Sequence, residues 1–140
     1  MQQVKLRRGS FKHVESELFH YHETMRDIHL LRESILHQTA ITDENVGGGK
    51  SNLPGDPTGT RAIALLTNRK LDSMTRIVHA IEYVVERLPE EKRRLLELRY
   101  WTKPQTLTWP GISMKLNISS RQAHRWREEI VTAIAELLGW

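Results

Sequence analysis

Cysteine is absent from the 140 residues. That excludes a disulfide scaffold, a thiol nucleophile and any cysteine-ligated zinc or iron–sulfur centre. Aromatic residues make up only 6% of the chain. No apolar run approaches the roughly 20 residues that a membrane-spanning helix needs. The N-terminal residues carry no apolar segment to act as a secretion signal. No stretch of any length alternates at the period of a strand. The expectation is therefore a soluble, cytosolic, all-α protein.

Acidic charge is also scarce in one place. Between positions 92 and 127, Glu97 alone opposes Lys92, Arg93, Arg94, Arg99, Lys103, Lys115, Arg121, Arg125 and Arg127. This window carries +8, so in a chain of net charge +4 the remainder sums to −4. A basic module joined to a mildly acidic remainder localises a field that attracts phosphates, whereas a pI of 9.6 spread evenly would say little. With 39% hydrophobic residues the chain has enough apolar surface for a packed core.

Residues 10–37 have the stripe of an amphipathic helix, with Phe11, Val14, Leu18, Tyr21, Met25 and Ile28 at spacings of three and four and Ile35 resuming it after Arg32 breaks it. Ser10 is placed to cap its start. Periodicity vanishes over residues 39–60, where Gly, Pro, Asn and Asp crowd together as a linker. A second helix starts near Thr58 or Thr60 and continues to Leu88, with Leu71, Met74, Val78, Ile81, Val85 and Leu88 on its stripe. Two such helices predict a long antiparallel hairpin. Pro89 ends the second helix and opens a third, with Glu90 and Glu91 where the helix dipole favours negative charge. Leu95, Leu98 and Trp101 supply its apolar face.

The last forty residues read as a helix-turn-helix. A short helix spans 109–116, Asn117 stands where the chain needs a left-handed residue, and Ser119 with Gln122 forms a capping box for the final helix. Ala123, Ile130, Ile134 and Leu137 form that helix's buried stripe, Trp126 borders it, and Gly139 stops it. The leftover face carries Ser120, Arg121, His124, Arg125 and Glu128 near the helix start, the part such modules present to the major groove. Arg121, Gln122 and Arg125 are the expected base contacts, since Arg pairs with a guanine edge and Gln with an adenine edge. Ser120, His124, Lys103, Lys115 and Arg127 are the expected backbone contacts. The bland readings are a capping role for Gln122, packing for Trp126 and plain solvation for His124.

Residues 47–51 end like a phosphate-binding Gly-Lys-Ser loop, but Glu44 occupies the position of its first glycine and a helix, not a strand, precedes it. His13, His20, His22, His29 and His37 are not spaced i,i+4, so no two on one face reach a single metal. No catalytic set, metal site or cofactor site is found, and a non-enzyme is expected.

The segment from Leu88-Pro89-Glu90-Glu91-Lys92 to Tyr100, followed by Leu116-Asn117-Ile118-Ser119-Ser120-Arg121, resembles the promoter-reading region 4 of bacterial sigma factors. A second likeness spans nearly the whole chain. The first helix, Thr42-Asp43-Glu44-Asn45-Val46-Gly47-Gly48, Asp56-Pro57-Thr58 and the sigma-like end together resemble the RinA family of phage transcriptional activators. Pro110-Gly111 departs from the helix formers usual early in the module's first helix. The resemblance implies a phage or prophage protein in a bacterial host that binds double-stranded promoter DNA. It would activate late genes with host RNA polymerase. On this reading residues 1–88 are a helical oligomerisation region, forming a homodimer or higher homo-oligomer, and 89–140 the DNA-binding domain. The runner-up is a packaging protein like a small terminase subunit, which also joins such a module to oligomerising helices. A third reading is a polymerase-binding protein with no DNA contact.

Overall fold

The computed structural model of the chain describes residues 5–44 and 57–140, with side chains at 5–37 and 59–140. Among the described residues there are six helices and no strand: α1 (Arg8–Phe19), α2 (Tyr21–Glu44), α3 (Pro57–Arg87), α4 (Glu90–Tyr100), α5 (Trp109–Leu116) and α6 (Ser120–Leu138). The protein is all-α, as its periodicities require. The glycine-rich stretch at 45–56, with the Gly-Lys-Ser sequence and part of the family-like motif, lies outside the described residues.

The first predicted helix is two helices. The break falls at His20, whose ring Nδ1 and backbone N–H both lie on the Ser16 carbonyl, at 2.7 and 3.1 Å. The indole N–H of Trp101 donates to the Leu18 carbonyl at 3.0 Å. Carbonyls of the last turn of α1 are thus claimed by side chains, and the backbone ladder restarts at Tyr21. Ser10 is not the cap. The chain is helical from Arg8, and the Arg7 carbonyl accepts from the Phe11 amide without a side-chain cap.

The divided helix goes to two different places. One compact unit comprises the residues up to Tyr21 and Ile77–Trp140, and the other is His22–Arg76. The first, the core unit, holds α1, the C-terminal part of α3, and α4 to α6. Its closest helix pairs are α1 with α6, α4 with α5, and α6 with both α4 and α5. Val14, Leu18, Ile81, Leu95, Leu96, Ile112, Ile130, Ile134 and Tyr100 fill its centre. The second, the two-helix unit, comprises most of α2 and the N-terminal part of α3, and Ile28 is the buried residue among its described side chains.

Two stripes differ from their sequence reading. In α6, Leu138 is buried and Leu137 is about half exposed. α1 packs on α6 through Glu15 and Phe11 at Arg127, and Val131, Ala135 and Leu138 follow Arg127 along that face at helical spacing, which turns the buried arc away from Leu137. In α4, Leu96 and Tyr100 are buried beside Leu95, while Leu98 and Trp101 are half-buried.

Candidate nucleic-acid interface

Local chemistry sets the path from α4 to α6. The Gln105 side-chain amide donates to the Leu98 and Arg99 carbonyls at 3.0 and 2.6 Å, and its oxygen accepts from the Leu107 amide at 3.0 Å. One side chain thus closes the end of α4 and holds the loop. Thr108 caps α5, its hydroxyl accepting from the Gly111 amide at 3.2 Å. Pro110 sits in the first turn, where its missing N–H costs nothing, so α5 has the span expected despite Pro110-Gly111.

Asn117 is left-handed, at φ 56° and ψ 44°. The Ile118 amide returns to the Ser113 carbonyl at 3.0 Å and the Asn117 amide to Met114 at 3.2 Å, the paired bonds of a Schellman close. Ser119 then starts α6, its hydroxyl accepting from the Gln122 amide at 3.1 Å. The same close recurs at Gly139 (φ 74°), where the Trp140 amide bonds the Ala135 carbonyl at 2.9 Å. It lays the Trp140 ring on His13 with centroids 4.0 Å apart.

The nine cations of the basic window have different fates. Arg93 turns back on the end of α3, donating to the carbonyls of Val85, Glu86 and Leu88 at 3.3, 3.5 and 3.4 Å. Lys92 pairs with Glu129 at 2.9 Å. Arg99 lies against the rings of Phe19 and Trp109, 5.3 and 5.0 Å from their centroids. Arg127 makes a two-pronged bond to Glu15, Nε to Oε2 at 3.0 Å and Nη2 to Oε1 at 2.8 Å. Arg94, Lys103, Lys115, Arg121 and Arg125 are exposed.

Glu15 is the centre that fixes α1 to the basic module. Its carboxylate also accepts the Tyr100 hydroxyl at 2.6 Å, so one group ties α1 to α4 and α6. Burial works to raise the Glu15 carboxyl, but the hydrogen bonds from Arg127 and Tyr100 and the charges of Arg127 and Arg99 outweigh it and hold it below its ordinary value. The same bond holds Arg127 more firmly charged. Burial, then the bond to Glu15, pushes the Tyr100 hydroxyl well above the usual tyrosine range.

These constraints sort the candidate residues. Arg121 and Arg125 stand one turn apart on the exposed face of α6, in its first two turns. Ser120 is exposed at the start of the helix and Gln122 is half-buried. His124 is exposed with its ring 4.8 Å from that of Trp109, so it flanks α5. Lys115 is in the last turn of α5 and Lys103 in the loop before it. Arg127 is on the packed side, joined to Glu15. Glu15, Tyr100 and Gln105 escaped the sequence reading. Thr108 before Trp109-Pro110 was readable as a helix start; Glu15 had no such signal, because Arg127 is 112 positions away.

Residues 19–136 match the family described as "Protein of unknown function (DUF722)". The chain belongs to this family. Over 134 residues it is 24% identical to the transcriptional activator rinA of Staphylococcus phage phi11, an alignment covering 96% of this chain and 94% of that protein. The likeness to RinA activators read from the first helix, the linker motif and the sigma-like end is thus shown over 96% of the chain. No solved structure matches the chain. Among the described residues, no helix is long and apolar enough to cross a membrane.

Proposed function

We propose that this chain is a sequence-specific double-stranded DNA-binding transcriptional activator of phage late genes, acting at a promoter with host RNA polymerase. α5, the three-residue turn and α6 are the helix-turn-helix, and α6 enters the major groove. The observation that carries the reading is the exposed Arg121–Arg125 pair at the start of α6, in a module whose Arg93, Arg99 and Arg127 are consumed by packing. Arginines with internal partners serve the fold; an exposed pair near a helix start is placed for base edges. Whole-length likeness to a protein named a transcriptional activator supports the role.

Arg121 and Arg125 read guanine edges, and Gln122 reads an adenine edge. Ser120, His124, Lys103 and Lys115 hold phosphates. Arg127 positions α6 through Glu15 and is not among the proposed contacts.

The test is a binding titration of the purified chain against fragments of its neighbouring genome at two salt concentrations. One fragment that stays bound at the higher salt, with a footprint beside a promoter, is the expected result. Arg121→Ala then costs about 1–3 kcal/mol on that fragment and relaxes its sequence preference, while Lys115→Ala weakens all fragments alike and lowers the salt slope by about one unit. Equal losses on random and cognate DNA for Arg121→Ala would remove it as a base reader. A specific footprint at a packaging site, away from any promoter, would favour the packaging alternative.

A further inference from the structure

The two-helix unit leaves six large apolar residues in solvent. Leu30, Leu36, Ile63, Leu65 and Leu66 are 61, 69, 66, 53 and 63% exposed, and Met25 is 41% exposed. Among the described residues of 22–37 and 59–76, Ile28 alone is buried. The α3 stripe shows the change along one helix. Val78 and Ile81 are buried in the core unit, Leu71 and Met74 are half-buried, and Ile63, on the same stripe, is bare. Around Ile63 the sequence Ala62-Ile63-Ala64-Leu65-Leu66 is apolar on every side of the helix. A helix segment that is apolar all round belongs in an interior, and two helices cannot provide one.

We infer that the two-helix unit is a self-association surface, on which a second copy of this chain docks its own two-helix unit to complete a four-helix bundle. Size and charge both select this occupant. The six residues together expose on the order of several hundred Å² of apolar surface, the size of patch that marks a protein contact. In the 22–37 segment, Glu23, Asp27 and Glu33 outnumber Arg26 and Arg32, for a net −1. In the 59–76 segment, Arg61, Arg69, Lys70 and Arg76 outnumber Asp72, for a net +3. A two-fold axis that sets α2 of one copy against α3 of the other satisfies both contacts at once, because a two-fold interface repeats each contact in both directions. Nucleic acid would meet the basic α3 but is repelled by the α2 segment and leaves the leucines uncovered. If the DNA-binding reading holds, the bundle carries two α6 helices and the operator has two half-sites.

Sedimentation equilibrium of the full chain without DNA tests the surface independently of that reading. At tens of micromolar the expected mass is two protomers, falling to one for the double substitution Ile63→Glu with Leu66→Glu. All four tryptophans, Trp101, Trp109, Trp126 and Trp140, lie in the core unit, so an unchanged near-ultraviolet circular dichroism spectrum shows that this unit stays folded in the variant. A wild-type mass of one protomer overturns the inference, as does a mass above two, or a two-protomer mass that survives the double substitution.

Discussion

The core unit and the two-helix unit use similar sequence patterns to opposite ends. Both contain amphipathic helices with three-four apolar spacing. In the core unit four helices and the end of α3 close on one another, and Val14, Leu18, Leu95, Ile112, Ile130 and Ile134 are fully enclosed. In the two-helix unit Leu30, Leu36, Ile63, Leu65 and Leu66 stand at 53–69% exposure. An apolar stripe therefore states only that a face must be covered. Whether the covering lies within the chain depends on how many elements meet there. The core unit also spends charge on its own cohesion, through Glu15, Arg127, Arg93 and Arg99, which leaves a smaller exposed set than the composition suggests.

This contrast makes graded predictions. The largest effect is expected in the core unit, where Ile134→Ala removes a fully buried side chain and lowers unfolding free energy by about 2–5 kcal/mol in urea titrations followed by tryptophan fluorescence. Next comes Glu15→Gln, which removes the negative charge facing Arg127 and leaves one acceptor oxygen for the Arg127 and Tyr100 donors. A loss of about 2 kcal/mol is expected, below that of a fully buried pair because the Arg127 side chain is 23% exposed. Its pH dependence is specific. The folded chain holds the Glu15 carboxyl below its ordinary value, so its stabilisation is present above the unfolded glutamate range and is lost as pH falls through the lowered value. Stability curves of wild type and Glu15→Gln should converge in acid, and a constant gap down to that limit would remove Glu15's ionised form from the account.

Gly139→Ala should cost about 1 kcal/mol, because φ 74° is strained for a residue with a side chain, and it should loosen the Trp140–His13 stack. The smallest effect is expected for Leu66→Ala, within about 0.5 kcal/mol at concentrations where the chain is a monomer. A loss there as large as that of Ile134→Ala would mean that the two-helix unit closes on itself, and the distinction between the regions would fail.

The α5-to-α6 segment was the most legible part of the molecule. Asn117, Ser119 and Gly139 act through hydrogen bonds to backbone groups within five residues, so their identity and spacing state their role. Pro89 is equally local: α3 ends at Arg87 and α4 begins at Glu90. The continuity of the first helix was not legible, since its break at His20 involves Trp101 from 83 positions beyond Leu18. For the candidate site, the exposed Arg121 and Arg125 followed from the period of α6 alone. The period also sets Arg127, two residues past Arg125, on the opposite and packed side of α6; what it did not show is the partner, Glu15, 112 positions away.

The sequence by itself determined an all-helical chain, the turn between α5 and α6, the caps and closes of the last two helices, and the concentration of positive charge in the last third. Each depends on backbone bonding or side-chain period over a few residues. Only the tertiary structure decided that α1 packs on α6, that Leu138 rather than Leu137 is enclosed, and that Arg127 is tied to α1. Those outcomes depend on contacts more than eighty positions apart, such as Glu15 with Tyr100 and Arg127, and neither side of such a pair carries a mark of the other.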